Sequence, residues 1–262
     1  MEGRLPAKRP GDDTGQRLLH GLGWAYLLAA LTAAWLALAR LYPLLIPGPL
    51  ETLETLRDMG IERVARAVYV TFTNSLAGYA LALAAAVASV AAAYANKHVG
   101  AFFDALNTLI QSVSILVWAI VFMMVFGVTS RKPPVLVAAA ASYPILLTSL
   151  MGAVRSLSWR FRLLARILGA SRVQELVYFI LPGTLPYLAA ASRAAVGVAL
   201  RISVVAEAFG SSGGVGYWLV YSYDIGDKDG VFAWALVLVA MMIAVDYAIL
   251  RPVERWASRW KL

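Results

Sequence analysis

Residues 155–186 read RSLSWRFRLLARILGASRVQELVYFILPGTLP, a polar and basic interruption in a chain that is otherwise almost continuously apolar. One apolar stretch ends near Val154 and the next begins near Leu185. Both stretches are long enough to cross a bilayer. The interruption, which we call the elbow, is therefore predicted to lie in water between two membrane crossings.

The elbow has the pattern helix, break, helix. Residues 155–168 carry apolar side chains at helical spacing with arginines between them, which predicts a short amphipathic helix. Gly169 can end that helix as a C-cap, and Ser171 can cap a second helix over residues 172–180. Pro182 lacks an amide proton and is predicted to stop or kink the second helix.

The composition indicates an integral membrane protein. Of the 262 residues 61% are apolar, and the mean hydropathy is +0.71. A soluble domain of this size does not need so many apolar side chains. The chain has no cysteine, which excludes disulfides and thiolate metal sites. The net charge of +8 lies in short loops between apolar stretches, which favours membrane orientation over nucleic-acid binding.

Six apolar stretches are each long enough to span a bilayer, which takes about 20 helical residues. They cover residues 21–46, 68–94, 102–126, 135–154, 185–209 and 231–250. We expect an all-α membrane protein with four parts. These are a tail without regular structure at 1–20, a first span and external connector at 21–67, a five-span core at 68–255, and a basic tail at 256–262. Residues 211–230 are predicted to form a flexible external gate loop.

The basic residues predict the orientation. With the amino terminus inside, 14 of the 23 lysines and arginines fall on the cytoplasmic side, six fall outside and three fall within spans. Loops rich in Lys and Arg remain in the cytoplasm. Both termini and the elbow are therefore predicted to be cytoplasmic, in a multi-pass protein of the cell membrane.

The spacing of the elbow resembles a loop in the permease subunits of binding-protein-dependent ABC importers. That loop reads EAA, three residues, G, nine residues, I, one residue, LP. This chain has Leu163-Leu164-Ala165, then Gly169, then Phe179-Ile180-Leu181-Pro182, so leucines replace the glutamate and first alanine. The run Ala165-Arg166 followed by Leu168-Gly169-Ala170-Ser171 is similar to the nitrate, sulfonate and taurine branch.

Further residues fit the same family in order and spacing, over about residues 68–255. They are Tyr143 to Thr148 with Gly152, then Arg193, Gly197, Ala206-Glu207 and Gly214-Val215-Gly216-Tyr217. The resemblance implies a type I ABC importer permease, with six transmembrane helices and a cytoplasmic coupling helix between spans four and five. It also implies a homodimeric pore, a separate cytoplasmic ATPase, an extracytoplasmic solute-binding protein and a small solute, an anion such as nitrate or a sulfonate. Such a subunit is not an enzyme and holds no cofactor.

Two sets of residues are predicted to carry the function. The resemblance places the first set against the ATPase: Arg162, Leu163, Leu164, Ala165, Arg166, Leu168, Gly169, Ala170, Ser171 and Pro182. The second set follows from the cost of ionisable groups inside a bilayer, which makes Arg193, Arg201 and Glu207 candidates for the solute path. Arg201 is the expected anion contact. Snorkelling or structural pairing is the alternative for all three.

An ion pair is predicted between Arg193 and Asp246. Arg193 lies about 10 Å along the fifth span and Asp246 about 8 Å from the same membrane face along the sixth, at 1.5 Å per residue. Two opposite charges at equal depth in an apolar layer each cost free energy unless they pair.

Other functional classes remain as alternatives. An ordinary basic loop would explain the arginines of the elbow but not its spacing. A secondary transporter would be expected to show internal repeats, and a membrane-embedded enzyme would need a cluster of His, Asp or Glu, which His20 and His98 do not provide. Asp224, Asp227 and Asp229 are loosely spaced like a cation site but are more simply solvated loop charges.

Overall fold

The computed structural model describes residues 12–211, 213–250 and 252, and this part of the chain is helical, without a strand. The α-helices are α1 (Asp12–Leu41), α2 (Pro49–Asp58), α3 (Ile61–Ala95), α4 (Lys97–Ser112), α5 (Ile115–Phe126), α6 (Lys132–Ile167), α7 (Arg172–Glu175), α8 (Leu181–Phe209), α9 (Val215–Asp224) and α10 (Lys228–Val245). Two π-helical segments, Leu176–Ile180 and Asp246–Leu250, follow α7 and α10.

Helices α3, α6 and α8 form a central three-helix bundle. Small residues allow α3 and α6 to approach closely, since a Cβ atom added to Gly78 would lie 2.6 Å from the carbonyl oxygen of Val135 and 2.7 Å from the Cβ of Ala138. Ala82 and Ala86 continue this buried face of α3. Small residues on one face of the second span thus bring α3 close to α6.

Side-chain hydrogen bonds also hold the central bundle together. The Tyr79 hydroxyl donates to Ser192 Oγ at 2.7 Å, which joins α3 to α8. Ser89 Oγ and the Tyr143 hydroxyl lie 3.0 Å apart and join α3 to α6. Ser142 Oγ donates to the carbonyl oxygen of Ala195 at 3.2 Å and joins α6 to α8. Polar bonds of this kind fix the register of helices whose apolar faces alone would pack in several ways.

Within the described part of the chain, four helical stretches are apolar and long enough to cross a membrane: Ile61–Ala95, Lys132–Leu157, Pro182–Phe209 and Lys228–Ala248. Helices α4 and α5 together could form a fifth. The predicted first span corresponds to α1, which contains the apolar stretch Tyr26–Leu41. Trp35 attaches α1 to the rest of the chain, because its Nε1 donates to the carbonyl oxygen of Pro47 at 2.9 Å and its ring stacks on Phe232 at 6.1 Å.

The prediction of one continuous third span at 102–126 is wrong. Helix α4 ends at Ser112, helix α5 begins at Ile115, and their axes are bent by 93°. Val113 (φ −86°, ψ 128°) and Ser114 (φ −59°, ψ 140°) are extended, which interrupts the helical hydrogen bonds.

Two other regions predicted to lack regular structure are partly helical. Residues 211–230 contain α9, which begins after Gly214 (φ 106°) and is followed by Gly226 (φ 73°), so the prediction of a flexible loop is wrong there. Residues 12–20 of the predicted tail form the first turns of α1. The remaining residues of that tail and the tail at 256–262 lie outside the described residues.

Candidate coupling elbow and solute path

The first helix of the elbow is not a separate element. Helix α6 runs for 36 residues, passes from its apolar part into residues 155–167 without interruption, and ends at Ile167. The predicted helix at 155–168 is therefore present as the last turns of a transmembrane helix. We call the end of the bundle where α6 ends and α8 begins the elbow end, and the opposite end the far end.

The turn between the two elbow helices has the predicted caps. Gly169 has φ +67°, a left-handed conformation that favours glycine. The Ser171 N–H donates to Gln174 Oε1 at 2.8 Å, and the Gln174 N–H donates to Ser171 Oγ at 3.3 Å. This reciprocal pair is a capping box and sets the start of α7.

Pro182 is predicted to stop or kink the second elbow helix, and it does not stop it. The chain passes from α7 through the π-helical segment Leu176–Ile180 directly into α8. Pro182 lies in the first turn of α8, where a missing N–H group costs little. Ile180, within the π-helical segment, is fully buried and anchors the elbow to the core around Leu146 and Leu147.

The elbow presents apolar side chains to its surroundings. Leu168 is 63% exposed, and Leu163, Ile167 and Val173 are exposed to a similar degree. Gly169, Ser171 and Pro182 are also exposed, whereas Ala170 is half-buried. The side chains of Arg162, Leu164, Ala165 and Arg166 lie outside the described part of the chain. An exposed apolar patch beside a rigid turn is typical of a surface that contacts another protein.

Two polar contacts attach α4 to the elbow end of α6. Arg155 Nη2 lies 2.5 Å from Asp104 Oδ2 in an ion pair, and Asn107 Nδ2 donates to Thr148 Oγ1 at 3.0 Å. Arg155 is near the end of the apolar part of α6, so Asp104 marks the same membrane level on α4. A displacement of the elbow would consequently be passed to α4.

The predicted ion pair between Arg193 and Asp246 is confirmed. Arg193 Nη2 lies 3.6 Å from Asp246 Oδ1 and joins α8 to the start of the second π-helical segment. The pair is less buried than predicted, since the two side chains are 32% and 38% exposed. Counting residues along each span thus predicts that the two side chains lie at the same membrane depth. It does not predict how far the bundle buries them.

We expect Arg193→Ala and Asp246→Ala each to lower the yield of folded protein, because each removes one partner of an ion pair that joins α8 to the second π-helical segment in the membrane region. The double variant should be less damaged than the sum of the two single variants. A double-mutant cycle on melting temperatures in detergent measures the coupling. Simple additivity would show that the contact contributes nothing to stability.

Glu207 is fully buried at the far end, where three helices meet. The Thr71 hydroxyl donates to its Oε2 at 2.7 Å, Asn74 Nδ2 donates to its Oε1 at 2.9 Å, and the Gly216 N–H donates to Oε2 at 3.4 Å. The Val215 N–H donates in turn to Thr71 Oγ1 at 2.8 Å. Helices α3, α8 and α9 are therefore joined through one carboxylate, which also lies at the positive amino-terminal end of α9.

Two glycines make room for this network, which we call the Glu207 network. A Cβ atom at Gly214 would meet the Glu207 carboxylate oxygens, and one at Gly216 would meet the carbonyl oxygen of Val204. Thr71 and Asn74 were not predicted as site residues, because they lie 136 and 133 residues from Glu207 along the chain. The only signal in the sequence was their position as polar residues within an apolar span.

Arg201 is exposed within the apolar part of α8. No described residue forms a hydrogen bond or ion pair with its side chain. It lies eight residues before the end of α8, about 12 Å by helical rise. The three candidates for the solute path thus differ in their surroundings. Arg193 forms an ion pair, Glu207 is fully buried, and Arg201 is exposed.

A cleft of about 630 Å³ opens at the far end between the start of α3 and α9. The Arg63 guanidinium lies 4.2 Å above the centre of the Trp218 ring, and Arg66 is paired with Glu62 at 2.7 Å. Gly213 and Gly214 form part of the wall. The cleft and the Glu207 network therefore share the segment that leads into α9.

One of the three aspartates around the end of α9, Asp227, has a structural role. Asp227 caps α10, because its Oδ1 accepts a hydrogen bond from the Gly230 N–H at 2.9 Å. Among the described residues, no group of three or more His, Asp or Glu side chains is arranged to hold a metal ion.

Comparison with known proteins gives a family match. The family described as "Binding-protein-dependent transport system inner membrane component" matches residues 78–256. The taurine transport system permease protein TauC of Escherichia coli (strain K12) is 28% identical over 243 residues, which cover 89% of this chain and 87% of that protein.

Two further relatives match over a shorter part of the chain. The putative aliphatic sulfonates transport permease protein SsuC of Bacillus subtilis (strain 168) is 26% identical over 63% of this chain. The nitrate import permease protein NrtB of Synechococcus elongatus is 26% identical over 70% of this chain. The matches span 59% and 64% of those relatives' own lengths.

The fold is shared with a solved transporter. A chain of the MetNI methionine ABC transporter, in an inward-facing conformation, superimposes with a TM-score of 0.63 at 17% identity. The superposition covers 75% of this chain and 98% of that chain.

Proposed function

The chain belongs to the family of binding-protein-dependent transport system inner membrane components, in the nitrate, sulfonate and taurine branch of ABC importer permeases, and from this membership we propose its function. It forms the solute path of an ATP-driven importer of a small anion. The family match over residues 78–256 is the observation that carries the proposal. We further propose that two copies form the pore, that a separate ATPase drives it, and that an external binding protein delivers the solute.

The elbow is the proposed contact for the ATPase. The exposed apolar side chains of Leu163 and Leu168 would enter a groove of the ATPase, and Arg162 and Arg166 would lie at the rim. Leu164, Ala165, Ala170 and Pro182 complete the predicted contact set. The rigid turn at Gly169 and the capping box at Ser171 support this role, because force is transmitted well only by a surface that keeps its shape.

The proposed topology has six spans with both termini and the elbow in the cytoplasm. Helix α1 supplies the first span, and α4 with α5 supplies the third. The excess of Lys and Arg on the elbow side supports this orientation.

A cysteine introduced at Ser158 tests the orientation. The chain has no cysteine of its own, so the new thiol is the only one that can react. We expect Ser158→Cys to resist a membrane-impermeant maleimide in intact cells and to react after permeabilisation. A cysteine at Thr129, between α5 and α6, should react in intact cells. Labelling of Ser158→Cys from outside would contradict the orientation.

Arg201 is the proposed anion contact in the solute path, since it is the open cation within the apolar part of α8. Arg193 remains a second candidate through its exposed part. We propose that Glu207 acts on the path indirectly, by fixing the segment that leads into α9 as part of an external gate.

ATP-driven uptake tests the proposal as a whole. The chain would be reconstituted in proteoliposomes with an ABC ATPase and a solute-binding protein from the same genome, and supplied with labelled taurine, an alkanesulfonate, nitrate and bicarbonate. We expect saturable uptake of one class of anion that depends on all three components. Uptake that is driven by an ion gradient and does not need ATP would instead identify a secondary transporter.

A further inference from the structure

The break between α4 and α5 lies inside the hydrocarbon core of the membrane. Measured from the elbow end, Val113 is nine residues along α4 from the Asp104–Arg155 ion pair, which is at most about 14 Å of depth because α4 and α5, bent by 93°, cannot both follow the membrane normal. Measured from the far end, Ile115 belongs to one apolar cluster with Ile202, which is about 10 Å from the end of α8. The hydrocarbon core of a bilayer is about 30 Å thick, so a break about 10 Å from the far end of α8 lies inside the core.

A break at this depth cannot face lipid. The last carbonyl groups of α4 and the first N–H groups of α5 have no partners within their own helices. Such groups are tolerated at membrane depth only where protein covers them or where they line a water-filled cavity. The side chains of Gln111, Ser112 and Ser114 are polar and exposed, so the rest of this chain does not cover them.

Arg201, on α8, is a second feature that cannot face lipid at this depth. It adjoins Ile202, whose cluster contains Ile115, and therefore lies at about the depth of the break. Its exposed guanidinium would be costly against lipid. Two unrelated features, an interrupted backbone on one helix and an exposed cation on another, thus need water or further protein instead of lipid at one level of the membrane.

We propose that the α4–α5 break, residues 111–114, lines the water-filled solute path inside the membrane core and, together with Arg201, makes this level selective for anions. This inference rests on the proposed function for the existence of a solute path. The break offers neutral hydrogen-bonding groups and Arg201 offers one positive charge per copy of the chain. Small oxoanions such as sulfonates or nitrate fit this chemistry, because they need several hydrogen-bond donors and a single countercharge.

Cysteine accessibility tests the proposal directly. The variants are Gln111→Cys and Ser114→Cys, with Leu109→Cys and Val117→Cys as controls at exposed apolar positions on the same two helices. Thr129→Cys between α5 and α6 gives the reaction rate of a water-exposed thiol. Membrane vesicles of both orientations would be treated with an anionic sulfonatoethyl and a cationic trimethylammonioethyl methanethiosulfonate.

We expect the break cysteines to react roughly tenfold or more faster than Leu109→Cys and Val117→Cys, because the reactive thiolate forms in water and not in lipid. Relative to Thr129→Cys, the anionic reagent should be favoured at the break by about threefold to tenfold. The substitution Arg201→Gln should remove this preference without closing access to the break.

Three results would overturn the proposal. One is reaction at the break as slow as at Leu109, which would mean that lipid or a second copy covers it. Another is equally fast reaction at all four positions, and the third is a charge preference that Arg201→Gln does not change. Labelling needs neither ATP nor uptake, so fast labelling in a chain that fails to import anions would refute the proposed function and leave the water-filled break in place.

Discussion

Glu207→Ala is expected to remove most of the folded protein from the membrane. The substitution leaves the Thr71 hydroxyl, the Asn74 amide and the Gly216 N–H group without an acceptor in a fully buried place. Each unsatisfied buried donor costs about 1 to 3 kcal/mol, so the total is about 3 to 5 kcal/mol or more. Loss of this size is a large fraction of the stability of an ordinary domain, which is about 5 to 15 kcal/mol.

The measurement is the yield of monodisperse protein after extraction, followed by its melting temperature. We expect a decrease of roughly 10 °C for any Glu207→Ala protein that can be purified. Val205→Ala is the matched control, since it truncates an exposed side chain two residues away on α8 and should change little. Glu207→Gln keeps the shape of the side chain, but its amide NH2 replaces one acceptor oxygen and faces a hydrogen-bond donor. Its yield and melting temperature should lie between those of Glu207→Ala and Val205→Ala. Normal yield and melting of Glu207→Ala would show that the network does not hold the three helices together.

Gly169→Val is expected to uncouple the elbow from the ATPase while the protein still folds. No atom lies within 4 Å of a Cβ added at Gly169, so the substitution causes no collision. Its effect is conformational: the left-handed φ of +67° costs a residue with a side chain about 1 to 2 kcal/mol, and a β-branched residue more. We expect the turn to leave this conformation and α7 to reorient relative to the end of α6.

Two readouts follow from this change. Retention of the ATPase on the immobilised permease and ATP-driven uptake should both decrease, uptake by roughly tenfold or more, since about 1.4 kcal/mol is a factor of ten in an equilibrium. Gly169→Asn is the matched control, because asparagine tolerates the left-handed region and should retain most of the activity. Full ATPase binding and uptake by Gly169→Val would contradict the proposed role of the elbow.

Local features of the fold could be predicted from the sequence. The elbow turn depends on Gly169 and on the Ser171 and Gln174 pair, whose effects act over three residues. The Arg193–Asp246 contact could be predicted because membrane depth gives a long-range coordinate that soluble proteins lack. The first feature follows from local capping preferences, and the second follows from the depth of each residue in the bilayer.

Features that depend on packing between distant segments could not be predicted. No proline or glycine marks the break after Ser112, and its surroundings are apolar enough to read as one span. Helix α9 was hidden because its Gly-rich start resembles a loop, whereas Thr71 and Glu207 on other helices fix that start in place. The sequence predicts that Pro182 stops or kinks a helix, because proline lacks an amide proton. The chain instead continues through the π-helical segment into α8, with Pro182 in the first turn of α8.

The length of α6 has a mechanical consequence. At 1.5 Å per residue its 36 residues form a rod of about 54 Å that reaches from the elbow to the far end. Ser142 and Tyr143 fasten this rod to α8 and α3 about a third of the way from its start. A rod held there acts as a lever with unequal arms of about 16 and 37 Å. A sideways push of about 4 Å at Ile167 would then move Lys132 by only about 2 Å in the opposite direction, so the elbow would have the mechanical advantage over the far end.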